Sequence, residues 1–286
     1  MESMRDIKRR INSVRNTQKI TKAMKMVAAA RLRKSQEMVE KARPFFNKNR
    51  EVIYKVSRYT KDYTEHPLFL DSGGKRHLYL IINSDRGLCG SYNVNIIEKA
   101  KASFKPDEEI SLITIGRNAR DYFKKRDYNI ISEYINIPDY PDYWFSKRIG
   151  DELISLFKER IVDRISLVYT HFNSAISQTA RMIPLLPLTA LEGSGLEENK
   201  KLDYLYEPSA DQVFDVLLPA YINNILYAAL LESKASEFGA VMTAMDSATE
   251  NAEELIGELT LLYNRARQSA ITTEIAEIVG GAEALK

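Results

Sequence analysis

Both ends of this chain carry an apolar seam that repeats in alternating steps of three and four residues. From Met4 the seam runs through Ile7, Ile11, Val14, Gln18, Thr21, Lys25, Ala28, Leu32, Ser35, Val39, Ala42, Phe46, Asn49, Ile53 and Val56. Near the C-terminus it runs through Phe238, Met242, Met245, Thr249, Ala252, Ile256, Leu259, Tyr263, Ala266, Ala270 and Thr273. A spacing of 3.5 residues keeps one stripe of a helix against a partner helix. A helix with a single apolar stripe is marginal alone in water, so each end needs a partner, and each supplies one. Gln18, Thr21, Lys25 and Asn49 interrupt the seam with polar side chains, which predicts uneven packing along it. The charges agree with the pairing. Residues 1–50 hold fifteen Lys or Arg against four Asp or Glu, and residues 211–286 hold four against twelve. Opposite fields favour antiparallel pairing, although an exposed ion pair contributes only about 0–1 kcal/mol.

Pro44 is the one breaker between Met4 and Tyr59 and predicts a bend there. Residues 60–76, with His66-Pro67 and Ser72-Gly73-Gly74, read as a linker. The pattern then changes. β-rich runs at 77–83, 109–115, 129–135, 164–171 and 180–187 alternate with helical segments at 94–104, 118–125 and 144–160. Such alternation implies right-handed crossovers and a mostly parallel sheet. Residues 191–201 read as a disordered loop, and after Pro208 a helix runs to about Ala284 with an early kink at Pro219. The fold class is α/β: an antiparallel two-helix coiled coil of residues 1–60 and 208–286, with an inserted Rossmann-like domain at 76–190. The C-terminal helix is the longer of the two, so antiparallel pairing leaves part of it uncovered.

Few chemistries remain open to such a chain. Cys89 is the single cysteine, which excludes an intrachain disulfide, and His66, His77 and His171 lie far apart in sequence. No apolar run of membrane-spanning length is evident, and no secretory signal follows Arg5. A reducing, cytosolic compartment is expected. The Ser84–Gly90 turn, SDRGLCG, follows a strand and precedes a helix as a phosphate loop does. Its glycines lack both the GxGxxG spacing and a Walker lysine. The basic N-terminal helix admits a nucleic-acid-binding reading, which an acidic partner helix would largely cancel. An α/β enzyme with coiled-coil arms lacks an acid–base cluster in the sequence. Cys89 reads as a packing residue, and Glu253-Glu254 and Glu197-Glu198 as solvated pairs.

Three segments resemble the gamma subunit of F-type ATP synthase, the central rotor shaft of that machine. They are IKRRINSVRNTQKITKAMKMVAAARLRKSQ (7–36), SDRGLCG (84–90), and LLYNRARQSAITTEIAEIVGGA (261–282) together with MTAMDSATEN (242–251). They occur at the start, middle and end in the family's order. The resemblance implies a subunit without an active site or cofactor. Its coiled coil enters a ring of alternating alpha and beta subunits, its α/β domain binds the epsilon subunit, and its base rests on the polar loops of the c ring. Met24 matches a methionine facing an acidic beta-subunit loop. Arg267, Gln268 and Thr272 match polar residues that bond to a beta-subunit loop. Arg9 and Arg33 lie in basic stretches that point toward acidic beta surfaces in the family. Tyr204 and Glu207 match c-ring contacts. Val241 and Asp246 depart from the arginine and lysine common at those positions, so ion pairs made there in relatives are absent here or supplied elsewhere. The paired cysteines of the chloroplast redox switch are missing. The resemblance implies a peripheral protein on the cytoplasmic face of a bacterial plasma membrane, with no nucleic-acid partner.

Overall fold

A computed structural model describes residues 3–59, 66–188 and 210–284. Helix α1 spans Met4–Tyr59. It starts at a local cap: Ser3 Oγ accepts the Asp6 amide at 3.2 Å, and the Ser3 hydroxyl donates to the Asp6 carboxylate at 2.7 Å. That reciprocal arrangement satisfies first-turn donors and places an acid at the positive end of the helix. Helix α5 spans Ala210–Ala284. Both helices are continuous through their prolines, Pro44 in α1 and Pro219 in α5. The sequence predicts a bend and a kink there; the missing amide costs one backbone bond in each helix without ending it. The chain divides into two compact units, residues 1–28 with 242–286, and residues 29–241.

In the first unit Ile7, Ile11 and Leu259 form a small core, with Val14, Ile256, Tyr263 and Ala266 packed against it. Thr21, Ala28, Met245 and Ala252 are also buried. These are the seam positions, in antiparallel order. The seam stops at Ala266. Ala270 and Thr273, expected on the same stripe, are exposed, as is every residue from Arg267 to Ala282. The physical reason is length: α1 begins at Met4, so no described residue of this unit continues the stripe opposite α5.

The second unit is built on a five-stranded sheet in the order β3-β2-β1-β4-β5. The strands are β1 Arg76–Ile82, β2 Glu109–Ile115, β3 Asn129–Tyr134, β4 Arg164–Phe172 and β5 Gln178–Leu186. All neighbouring pairs are parallel except β4 with β5. A short 174–177 turn joins that last pair, which allows only an antiparallel return. Central β1 is buried from His77 to Ile82, whereas edge strand β3 alternates between exposed and half-buried residues. A strand covered on both faces reads as a continuous apolar run, and an edge strand does not.

Helices α2 (Tyr92–Ser103), α3 (Arg117–Lys124) and α4 (Tyr143–Lys158) cover the sheet. One face carries Tyr79, Ile81, Leu112 and Val168 against Ile96, Ala119 and Phe123 of α2 and α3. The other carries Leu78, Leu80, Ile113 and Leu167 against Leu153 of α4 and against Phe214, Leu218, Ile222 and Leu226 of α5. The start of α5 is therefore a layer of the α/β core. This explains its composition: an 18-residue window within Gln212–Ala282 reaches a mean hydropathy of 1.4, enough to cross a membrane by length and composition. This corrects the expectation that no apolar run reaches that length. Half of the window is buried inside the chain, and a core helix passes that test.

Candidate partner interface

The Ser84–Gly90 turn lies at the C-terminal end of β1, between β2 and β4, where strand order reverses and open α/β sheets commonly bind ligands. Its own side chains fill the available bonds. The Asp85 carboxylate accepts the backbone amides of Arg117 at 3.0 Å and Ile137 at 2.7 Å. Ser84 Oγ donates to the Arg86 carbonyl at 2.6 Å or to Asn93 Oδ1 at 2.7 Å, and the Asn118 amide reaches the Ser84 carbonyl at 2.9 Å. A carboxylate already occupies the first turn of α3, where an anion would otherwise sit. The turn is a structural cap. Cys89 is buried and its thiol is held above the ordinary range by desolvation, which suits packing rather than attack.

Parallel pairing brings together a cluster that sequence distance hides. His77 Nδ1 lies 3.0 Å from Glu108 Oε2, and His77 Nε2 lies 2.9 Å from Ser166 Oγ. Tyr79 donates to the same Glu108 oxygen at 3.0 Å and stacks on His77 with ring centroids 4.1 Å apart. The order Ser–His–Glu is that of a nucleophilic triad, but Ser166 is only 4% exposed and His77 only 8%. A substrate cannot reach them, so the cluster ties β1, β4 and the loop before β2 together. Burial lowers the pKa of His77, and bonds from Tyr79 and His77 outweigh burial to lower that of Glu108. Both shifts have one sign for stability. A depressed folded-state pKa means stability that is present above the ordinary value and lost as pH falls. We expect the melting temperature to drop as pH falls below about 6.5, the ordinary histidine value, and more steeply below the carboxylate range. A His77→Gln variant should lose the upper part of that dependence. An unchanged profile in the variant, followed by circular dichroism, would refute the assignment.

Among the described residues no group of three His, Cys, Asp or Glu is placed to hold a metal ion. What the structure does offer is outward-facing side chains on the two long helices. Arg267, Gln268 and Thr272 are exposed on successive turns of α5, with Thr272 Oγ donating to the Gln268 carbonyl at 2.9 Å. Beyond them Ile271, Ile275, Ile278 and Val279 are each 45–65% exposed. Met24 is half-buried, beside Lys25, which is paired with Asp246. Arg9 projects into solvent, 3.2 Å from Asp6. Arg33, in the second unit, is 85% exposed and 3.6 Å from Glu37. Tyr204 and Glu207 lie outside the described residues. The Lys25–Asp246 pair is not among the expected contacts, yet the seam itself holds the signal, since both residues lie on or beside it with opposite charge.

An antiparallel helix pair and an α/β unit built on a five-stranded sheet, with polar and apolar side chains exposed along one helix, place the chain in the class of α/β proteins that carry a coiled coil. The family model described as ATP synthase matches residues 3–285. The ATP synthase gamma chain of Halothermothrix orenii is 60% identical over the full length of both chains, and that of Heliobacterium modesticaldum is 47% identical, also over the full length of both. The central-stalk structure of Tetrahymena thermophila mitochondrial ATP synthase aligns with a TM-score of 0.61 at 25% identity, covering 80% of this chain and 99% of that one. A Euglena gracilis mitochondrial ATP synthase chain shares the fold, with a TM-score of 0.72 over 99% of this chain and 94% of that one, at 19% identity. The chain belongs to the ATP synthase gamma-chain family. As such it is a central-stalk subunit of the membrane-associated ATP synthase complex.

Proposed function

We propose that this chain is the non-catalytic shaft that couples ion-driven rotation of a membrane c ring to ATP synthesis and hydrolysis in a surrounding ring of alpha and beta subunits. The observation that carries this reading is the uncovered end of α5. From Arg267 to Ala282 every residue is exposed, including four large apolar ones that a free surface would not favour. A smooth apolar sleeve supplied by other subunits would cover them while allowing rotation. A shaft with different side chains on each face presents each of three catalytic sites with a different contact, so turning it exchanges their affinities.

In this reading the coiled coil formed by 1–60 and 208–286 transmits torque, and the domain at 76–190 binds the epsilon subunit. Met24, Arg9, Arg33, Arg267, Gln268 and Thr272 face beta subunits, and Tyr204 and Glu207 meet the c-ring loops. The assembly sits on the cytoplasmic face of the bacterial plasma membrane. Nucleic acid is not a partner, because the acidic C-terminal helix offsets the basic one. Co-purification tests the reading: a tagged chain should bring down alpha, beta and epsilon subunits and a c ring. Recovery of the chain with none of them, or with nucleic acid, would overturn it.

Replacing Arg267 and Gln268 together by alanine should weaken coupling and leave the fold intact, since neither side chain is buried within the chain. A charge-assisted hydrogen bond to a partner contributes about 1.5–3 kcal/mol, so losing one weakens the docked contact about tenfold or more. Proton pumping per ATP hydrolysed in vesicles is the readout. Wild-type coupling with wild-type assembly would remove both residues from the interface.

A further inference from the structure

We propose that Thr21, Thr249, Lys25 and Asp246 form a polar layer that fixes the axial register of the two helices in the first unit. Thr21 and Thr249 hydroxyls lie 2.8 Å apart across the seam, and Thr21 is only 8% exposed. One hydroxyl donates across the seam while the other, accepting that bond, donates to a carbonyl of its own helix, Gln18 at 3.1 Å from Thr21 or Met245 at 2.7 Å from Thr249. One turn further along α1, Lys25 Nζ is paired with the Asp246 carboxylate. Apolar seam residues flank the layer: Ile7, Ile11 and Leu259 on one side, Ala28 and Met245 on the other.

Apolar layers alone do not choose a register, because a heptad seam nearly repeats when one helix slides by seven residues. Here a slide one way would set Thr21 against Ile256 and Thr249 against Ala28. A slide the other way would set Thr21 against Met242, Thr249 against Val14 and Asp246 against Gln18. Each slide gives up the hydrogen bond between the two hydroxyls, leaving each hydroxyl with only the carbonyl of its own helix and an apolar partner across the seam, which is disfavoured. The ion pair is a weaker discriminator, since the first slide brings Lys25 opposite Glu253. Its side chains are 40% and 44% exposed, so it adds little to stability in water. Its sign nevertheless disfavours the second slide, in which Lys25 loses its acid. Polar residues at single seam positions are well suited to specifying register at some expense of stability. The height of every outward side chain on one helix relative to the other then follows from this layer. Asp246 thus serves within the chain.

Disulfide trapping in the full-length chain, in a Cys89→Ala background and with diamide as the oxidant of the two thiols, reads the register directly. Ile11→Cys with Leu259→Cys reports the native alignment. Ile11→Cys with Ala266→Cys, or with Ala252→Cys, reports the slides. A seven-residue offset separates backbones by about 10 Å, beyond the reach of a disulfide. Only the native pair should form with the layer intact. Combining Thr21→Val and Thr249→Val should raise the ratio of slid to native disulfide about tenfold, with helical circular dichroism unchanged. Lys25→Glu should raise trapping of a slide, and adding Asp246→Lys should restore the native ratio. Native trapping alone in the double valine variant, or no restoration by the charge swap, would overturn the proposal.

Discussion

Lys234→Ala is expected to destabilise the second unit by about 3–5 kcal/mol at neutral pH, the usual cost of removing one partner from a buried ion pair. Lys234 Nζ lies 2.9 Å from Glu237 Oε2, and both side chains are under 9% exposed. They sit on α5 where it meets the sheet, beside Ser233, whose carbonyl accepts the Tyr92 hydroxyl at 3.1 Å. Burial raises the Glu237 pKa despite the lysine, and the negative charges of Asp139 and Asp85 raise it further. Without Lys234 the carboxylate has no cation to offset its desolvation. The pH dependence identifies the cause. A raised folded-state pKa means that stability is fully present below the ordinary carboxylate value and is lost as pH rises through the folded value. The variant should therefore recover much of its stability as pH falls and Glu237 takes up a proton. Lys234→Met combined with Glu237→Gln removes both charges and should lie close to wild type. Urea unfolding followed by circular dichroism at two pH values measures all three. A loss under about 1 kcal/mol, or one independent of pH, would show that water reaches the pair.

Gly116→Ala should cost a similar amount for a different reason. Gly116 joins β2 to α3 with φ +102°, and an added Cβ would lie 2.4 Å from the carbonyl oxygen of Asn83 and 2.6 Å from its carbon. Both obstacles are backbone, so neither can rotate away. Its amide also donates to the Tyr134 carbonyl at 2.7 Å, which holds the residue between β1 and β3. A forbidden dihedral costs about 1–3 kcal/mol, and the steric conflict adds about 1–3 more. The displaced backbone would also carry Arg117 away from Asp85, loosening the cap on the Ser84–Gly90 turn. Gly87→Ala is the control: nothing lies within 4 Å of its Cβ position, and its effect should stay within about 0.5 kcal/mol. Equal melting temperatures for the two variants would contradict this account.

The two variants also mark where local signals end. The 3.5-residue seam and the Ser3 cap are local, so the extent of α1 and the buried face of both helices in the first unit could be read from residues alone. The alternation of strands and helices likewise predicts the parallel sheet, because a βαβ connection leaves the chain little topological choice. The SDRGLCG turn could be placed at the end of a strand for the same reason. Its Asp85 contacts to residues 117 and 137 required the fold.

Burial of charge was not legible. Lys234 and Glu237, three residues apart on a helix, have the pattern of a solvated pair, and only the layer of α5 over the sheet removes them from water. The Ser166–His77–Glu108 cluster depends on the parallel register of β1 and β4, which no short-range pattern specifies. The end of the paired seam at Ala266 likewise came from tertiary structure, because Ala270 and Thr273 keep the spacing while no described residue of their unit stands opposite. Sequence alone set which faces are apolar, through side-chain periodicity. Tertiary structure decided which polar groups are buried, because desolvation depends on everything that surrounds a residue and not on its neighbours in the chain.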